Sequence, residues 1–584
     1  MPASRTWRNG IPSLPDSVLS ASGRSVDAYL QGVVEVAPAD HAAALAAVTE
    51  RAATTRGLVV DFILDGKVVA PSREVLAVEA DDELFTERGP WLIGFVREAL
   101  LSASDRRRGG VHHTDPALAA EIAGLAIELL GRRHDEIVVV DPAVGGGVFL
   151  LAVAERLEAA PAEVVHHLHG CDVDPMAVAV TRAALTIWSG GIEPPSTHLQ
   201  VTDYLDPMTS FPGADLVIGN PPFLSQLKGA TVRATSERHN LANRWPGVGR
   251  YVDTAAAFML ASVDGLLSGG VWALIQPDSV LGASDAESVR ARLATTAPVE
   301  RIWVDDARRF DAAIDTVALI GREGSSSDVT IFGGVPASQL GVVSLPSPKS
   351  WAPLLAPARG VPAVHEIAVA GTLGDLALTT AGFRDQFYGL RHAVTEDEHA
   401  EVRLITSGLI DPLVNRWGAT PCRYDKRAWL HPAVTLELVA DDIGDWVKAR
   451  LRPKVLVASQ TPTIEAIVDL AGELVPCTPV VTVEPHDPDD LWRIAALLTC
   501  PVTSALLAQA ASGTALSADA LRVSASRLAE LPIPADDGAW TLAAVAARAG
   551  DVAATGAAMQ QAFAIDDPAL VEWWLARLPN RGAR

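Results

Sequence analysis

The 584-residue sequence predicts an α/β fold, a doubly wound sheet with helices on both faces, plus a helical N-terminal region and a C-terminal α+β domain. Three observations carry this expectation. Short apolar runs of strand length recur between Ile137 and Gly219, separated by helical patterns. Each run ends in an acidic or polar residue, and the first is followed directly by a glycine-rich turn and a helix pattern.

Taken in chain order, residues 1–105 read as a mostly helical region of unknown role. Ala42–Ala53 and Trp91–Leu101 have helical spacing, and Val59–Val69 is a hairpin pattern around Asp65-Gly66. The segment holds no convincing acid followed by an Asp/Glu-x-Lys arrangement of the kind that binds magnesium for DNA cleavage, so a fused nuclease is not expected. Next, the β-branched run Ile137–Val140 leads through Asp141-Pro142-Ala143-Val144-Gly145-Gly146-Gly147 into a helix pattern at Leu151, Val153, Ala154 and Leu157. Glycine lets the backbone pass close to a ligand, and the helix start adds free N–H groups on the same side. Neither a G-x-G-x-x-G fingerprint nor a Gly-Lys-Ser/Thr triplet is present there, which disfavours a nicotinamide dinucleotide or a P-loop nucleotide.

A second strand over His167–Cys171 ends at Asp172, placed like the carboxylate that accepts from ribose hydroxyls in doubly wound nucleotide folds. A third, Leu199–Thr202, ends at Asp203 beside Tyr204; the acid suits an adenine amino group and the ring suits stacking. The fourth, Leu216–Gly219, stops at Asn220-Pro221-Pro222-Phe223. Two prolines stiffen this turn, so it can aim the Asn220 carboxamide and a backbone carbonyl one way beside the Phe223 ring. Two acceptors against a flat wall suit a planar substrate bearing an NH2 group, whose lone pair stays available for attack on an electrophile.

In this order the pieces resemble the S-adenosylmethionine-dependent adenine-N6 DNA methyltransferases of the gamma order. His113-Thr114-Asp115-Pro116 is similar to that family's N-terminal motif, and Asp141–Leu150 to its glycine motif. Asp172 corresponds to the ribose acid, Asp203-Tyr204 to the adenine pair, and Asn220–Phe223 to the catalytic turn. Asp253–Leu281 is similar to the helix and strand that follow, and Arg309-Phe310 with Thr316–Ile320 to the last sheet motif. Val144, Gly146 and Asp115 depart from the family's usual Cys, Ser and Pro.

The resemblance implies a Rossmann-like class I methyltransferase sheet within a catalytic domain at 106–335. It implies S-adenosylmethionine as cofactor, held by Thr114, Asp141, Ala143, Gly145, Asp172, Asp203 and Tyr204, with no metal. Asn220, Pro221, Pro222 and Phe223 become the catalytic group, and Phe223 and Phe310 the two walls around a flipped-out adenine. From 336 to 584 a looser resemblance, over Leu376–Tyr388, Arg452–Asp469, the helix near Trp492–Leu507 and Leu528–Pro534, implies a DNA target-recognition domain.

The net charge of −24 argues against a nucleic-acid partner when taken alone, so local charge decides. Lys228, Arg233, Arg238, Arg244 and Arg250 follow the catalytic turn, with Glu237 as the acid among them. Arg416, Arg423, Lys426 and Arg427 cluster with Trp417, Tyr424 and Trp429, aromatics that suit either base contact or a core. Lys448, Arg450, Arg452 and Lys454 form a further run without an acid. Arg423, Lys426, Arg427, Arg452 and Lys454 are the expected contacts to double-stranded DNA. Cys171, Cys422, Cys477 and Cys500 are scattered, with neither metal nor disulfide spacing, and no apolar run is long enough to cross a bilayer. A cytoplasmic protein with no membrane partner is expected, acting in restriction-modification or phage defence, with a separate subunit as a further partner. Two alternatives stay open: the same fold acting on RNA guanine or protein glutamine, and a DNA-binding subunit that needs a partner.

Overall fold

The computed structural model describes residues 23–37, 39–101, 114–131, 137–223, 243–248, 252–304, 315–362, 364, 367–382, 384–511, 521 and 523–579. They form two compact units, one ending at Leu354 and the other beginning at Leu355.

The first unit opens with α1 (Gly23–Val36) and α2 (His41–Thr54), the latter capped by Asp40, whose carboxylate accepts from the Ala42 N–H at 3.1 Å. The hairpin forms from β1 (Ile63–Leu64) and β2 (Lys67–Val68), with Asp65 at φ 50° and Gly66 at φ 72° in its two-residue turn. After the short α3 (Arg73–Leu76) comes α4 (Asp82–Leu100). Sequence spacing starts this helix at Trp91, after Pro90, but it begins nine residues earlier. Burial holds it together through the proline: Leu84, Phe85, Leu92, Ile93 and Val96 are all in the core, which offsets the one missing N–H bond. Side chains of α2 and α4 share a single apolar core with the sheet strands that follow.

That sheet has nine strands: β3 (Val139–Asp141), β4 (Leu168–Asp172), β5 (Leu199–Val201), β6 (Ala214–Gly219), β7 (Leu266–Pro277), β8 (Val299–Val304), β9 (Thr316–Arg322), β10 (Asp328–Gly333) and β11 (Ser338–Ser344). Their spatial order is β11-β10-β8-β9-β7-β6-β3-β4-β5. The pairs from β5 through β7 are parallel, while β9 runs antiparallel between β7 and β8. Helices α5 (Pro116–Leu130), α6 (Val148–Ala154), α7 (Pro175–Trp188), α8 (Thr254–Asp264) and α9 (Glu287–Thr296) accompany it. Leu216 and Ile218 of β6 enter one core and Val217, with Val140, enters another, so both faces are covered. This is the doubly wound α/β architecture that the strand spacing predicts.

The second unit contains two four-stranded sheets. Strands β12 (Ala377–Ala381), β21 (Val481–Pro485), β18 (Lys454–Val457) and β19 (Ala466–Asp469) pair in that order and antiparallel throughout. Strands β13 (Val394–Glu396), β17 (Pro432–Val434), β14 (Arg403–Ile405) and β20 (Leu474–Pro476) form the other. A separate hairpin joins β15 (Cys422–Tyr424) to β16 (Arg427–Trp429). The helix expected near Trp492–Leu507 is two, α10 (Leu491–Leu498) and α11 (Pro501–Ala511), because Pro501 cannot continue the first and instead opens the second. Among the described residues no single helix is long and apolar enough to cross a membrane.

The aromatics among the basic residues are structural. Tyr424 is buried and its hydroxyl donates to the Phe387 carbonyl at 2.8 Å; Trp417 Nε1 donates to the Pro432 carbonyl at 2.9 Å. Trp429 Nε1 donates to the Tyr424 carbonyl at 3.1 Å.

Lys454, expected to contact DNA, requires correction. All four residues of β18 are buried, Lys454 among them: its side chain is fully buried and paired with Asp469, itself buried. Asp469 also accepts the backbone N–H groups of Gly472, Glu473 and Leu474 at 2.9, 3.1 and 3.0 Å. Burial pulls the ammonium below its usual range and Asp469 opposes this. Replacing Lys454 by Met should therefore cost about 3–5 kcal/mol by leaving a buried carboxylate without its cation. Thermal melts of the wild-type and variant chains check this, and an unchanged midpoint would refute it.

Candidate active site

The crevice follows from strand order. From β3 the chain moves outward to β4 and β5, then crosses back to β6 on the other side of β3. Loops leaving β3 and β6 therefore part, and ligands of open α/β sheets bind where this happens, outside the strand carboxyl ends. Asp141 closes β3, Asp172 closes β4, Asp203 lies two residues past β5, and Asn220 directly follows β6.

Between β3 and α6 the backbone turns through Gly145 at φ 52° and Gly147 at φ 82°, left-handed conformations that disfavour other residues. The Val144 N–H donates to the Cys171 carbonyl at 2.9 Å and the Gly145 N–H to Asp172 Oδ2 at 3.0 Å, tying this loop to the end of β4. The other Asp172 oxygen accepts the Asp174 N–H at 3.0 Å.

At the end of β6 the Asn220 Nδ2 donates to Thr114 Oγ1 at 3.1 Å. This bond joins two motifs 106 residues apart and fixes the rotation of the carboxamide. Thr114 is buried just before α5, whose first turn is capped by Asp115 through the Ala117 N–H at 2.9 Å. Asp115 with Pro116 at the first helical position is thus a local helix start, which accounts for the acid in place of a proline. Phe223 is buried at the edge of the main core.

Not every expected residue faces the crevice alike. Tyr204 stacks on Phe258 with centroids 6.0 Å apart and planes at 17°, and has Phe211 at 6.1 Å, so its ring is engaged by core packing. Asp203 is the exposed member of that pair, its carboxylate accepting the Leu205 N–H at 2.9 Å. Phe310 lies outside the described residues, as do Lys228, Arg233, Arg238 and Arg250. Arg244 is paired with Asp264 at 3.3 Å.

In the second unit, Arg423, Lys426 and Arg427 are exposed on the β15–β16 hairpin. Its turn residues Asp425 and Lys426 adopt φ 45° and 65°, and Arg391 Nε donates to Asp425 Oδ2 at 2.7 Å. Arg416 is instead consumed by Asp411 at 2.6 Å, and the half-exposed Arg452 approaches Glu484 at 3.4 Å.

Sequence reasoning missed Arg97 of α4. It is buried and its Nη2 donates to Asp174 Oδ2 at 2.7 Å, beside the crevice. The signal available was an arginine on an otherwise apolar helix face, three residues after Gly94.

Electrostatics favour a cationic, hydroxyl-bearing ligand. Burial first, and Asp172 second, push Asp141 up to about 8, against the Ala143 N–H that donates to it at 3.0 Å. Burial also raises Asp172, opposed by the Asp174 N–H, Arg97 and the Gly145 N–H. Such carboxyls gain most from a ligand that brings positive charge and donors to them. A sulfonium with an ammonium and ribose hydroxyls fits that set of acceptors and the glycine cradle.

With β9 reversed between β7 and β8, and polar residues at the β3/β6 seam, this sheet has the class I methyltransferase fold that the sequence resemblance implies. More particularly, residues 94–304 match the family model described as N-6 DNA Methylase. Over 196 residues the chain is 26% identical to the Type II methyltransferase M.VspI of Vibrio sp. (strain 343), which is 33% of this chain and 43% of that protein. The chain thus spans less than half of that relative's length. Among solved structures, the Type IIL restriction-modification enzyme MmeI in complex with DNA shares the fold at a TM-score of 0.50 and 12% identity, over 94% of this chain and 90% of that one. The type IIG restriction endonuclease BpuSI gives a TM-score of 0.46 at 13% identity, over 96% and 80%.

The raised Asp141 has a consequence for stability. Its folded pKa, about 8, exceeds the ordinary 3.8, so its contribution is fully present below about pH 4 and is lost as pH rises through about 8. Asp141→Asn should therefore gain stability relative to wild type as pH rises from about 5 to about 8. Melting both ligand-free proteins across that range checks it; a pH-independent difference would refute the burial argument.

Proposed function

We propose that the chain is a site-specific DNA methyltransferase, moving a methyl group from S-adenosylmethionine to the exocyclic amino group of a flipped-out adenine. The observation that carries this reading is the Asn220-Pro221-Pro222-Phe223 turn at the β3/β6 seam, with its amide held by Thr114 at 3.1 Å. Support for a restriction-modification or phage-defence setting comes from the N-6 DNA Methylase match and from the similarity to the Type II methyltransferase of Vibrio and to the restriction-modification enzyme MmeI.

On this reading the Ala143–Gly147 loop holds the methionine part of the cofactor, Asp172 the ribose and Asp203 the adenine amino group. Bound there, the cofactor supplies an electrophilic methyl group. Extruding the target base costs roughly a few kcal/mol, and its stacking between Phe223 and Phe310 offsets about 1–3 kcal/mol of this. The Asn220 carboxamide oxygen and the Pro221 carbonyl accept the two amino N–H bonds, which localises the nitrogen lone pair for attack. The methylated nitrogen then sheds its extra proton to water, so no strong base is required of the chain. The hairpin bearing Arg423, Lys426 and Arg427 serves the duplex backbone.

Transfer of labelled methyl to mixed-sequence duplex DNA, followed by nucleoside mass detection, tests this. N6-methyladenine is expected. Label found instead in parallel RNA or release-factor substrates would move the turn to the alternative acceptors. Cofactor binding with no label anywhere would favour a DNA-binding subunit that needs a partner. Asn220→Ala should lose about 10²–10³ in turnover, by analogy with a single oxyanion donor, while cofactor affinity is kept. For DNA binding, Arg423→Ala, Lys426→Ala and Arg427→Ala should each reduce the slope of log affinity against log salt by about 0.9, read from fluorescence anisotropy. Unchanged slopes would remove the hairpin from the interface.

A further inference from the structure

Helix α4 reaches the crevice at backbone distance. A Cβ added at Gly94 would lie 2.8 Å from the Gly146 carbonyl oxygen, and one at Gly146 would lie 3.0 Å from the Gly94 Cα. The helix and the glycine loop therefore pack with nothing between them. Three residues on, and so on the same helix face, comes Arg97.

Arg97 is 5% exposed, and its Nη2 donates to Asp174 Oδ2 at 2.7 Å. Nη1 lies 3.6 Å from Glu98 Oε1, and neither Nε nor Nη1 has a hydrogen-bond partner among the described residues. Asp174 does two further things: its Oδ1 accepts the Met176 N–H at 2.9 Å, capping α7, and its own N–H donates to Asp172 at 3.0 Å. Asp172 in turn accepts the Gly145 N–H at 3.0 Å. One chain of contacts thus runs from α4 through the β4–α7 turn to the glycine loop. The guanidinium also acts on Asp172 through space.

Burying a guanidinium with unmet donors is costly, and an apolar side chain of similar size would fill the slot with less desolvation. Packing alone does not explain an arginine here, whereas its position against the Asp172–Asp174 turn does. We propose that Arg97 is a positioning residue of the cofactor site: it holds the Asp172–Asp174 turn against the glycine loop and so sets cofactor affinity. The inference rests on the reading of the crevice as the S-adenosylmethionine site, and gives the N-terminal helical region a part in it.

The test is calorimetric titration of the full chain with S-adenosylhomocysteine, alongside thermal melts without ligand. Arg97→Met should melt at or above the wild-type temperature, because the Asp174 it leaves is 38% exposed and stays hydrated, unlike Asp469. It should nonetheless bind roughly 10-fold or more weakly, as expected for a lost charged hydrogen bond. Arg97→Lys should recover part of the affinity. Asp174→Asn keeps the helix cap but not the charge pair, and should weaken binding in the same way. In turnover, the KM for S-adenosylmethionine should rise while kcat at saturating cofactor is unchanged. Wild-type affinity in both Arg97→Met and Asp174→Asn overturns the inference, as does a lowered melting point with affinity intact. Should Arg97→Met fail to fold, Asp174→Asn decides. Absence of binding by the wild-type chain would instead sink the cofactor reading itself.

Discussion

Parallel pairing of β3 with both β4 and β6 is the constraint on which the first unit depends. The chain leaves β3 towards β4 and β5 and then returns to β6 on the opposite side of β3, so the loops leaving β3 and β6 part. The gap between them cannot be closed by backbone, so it becomes a crevice lined by whatever residues end the strands. Asp141 and Asn220 stand at that seam because they terminate β3 and β6, and Asp172 joins them through the Gly145 N–H. A shift of one residue in any of these strands would turn its terminal side chain to the other face.

The crevice is also where the unit buries ionisable groups. Asp141 is 1% exposed and Arg97 5%. Buried ionisable groups of this kind weaken a fold unless they are paired, and persist where binding needs them. The contrast with the second unit is instructive. There Lys454 and Asp469 are equally buried, but three backbone N–H groups and a direct ion pair satisfy the carboxylate completely. One arrangement is closed on itself and structural; the other leaves two guanidinium nitrogens without hydrogen-bond partners among the described residues.

The β15–β16 hairpin shows how an acidic chain can still present cations. Its turn places Asp425 and Lys426 at positive φ, and the Arg391–Asp425 bond removes the hairpin's own acid from competition with Arg423, Lys426 and Arg427. Surface charge is thus sorted locally, against a net charge of −24.

Much of the first unit was legible in the sequence because its signals are local. Strand length, a glycine turn after Val140 and a proline pair after Asn220 depend on a few neighbouring residues, and so does the Asp65-Gly66 hairpin. Other features depend on partners distant in the chain. The Asn220–Thr114 bond spans 106 residues and the Arg97–Asp174 bond 77, so no periodicity announces either. Lys454 reads as a surface cation until pairing of its strand with Ala466–Asp469 buries it against Asp469. The sequence by itself determined the residue types at the strand ends, hence the chemistry on offer, because backbone turns are built from adjacent residues. Tertiary structure alone decided which of those side chains meet, since burial and pairing are properties of the surfaces that helices and strands bring together.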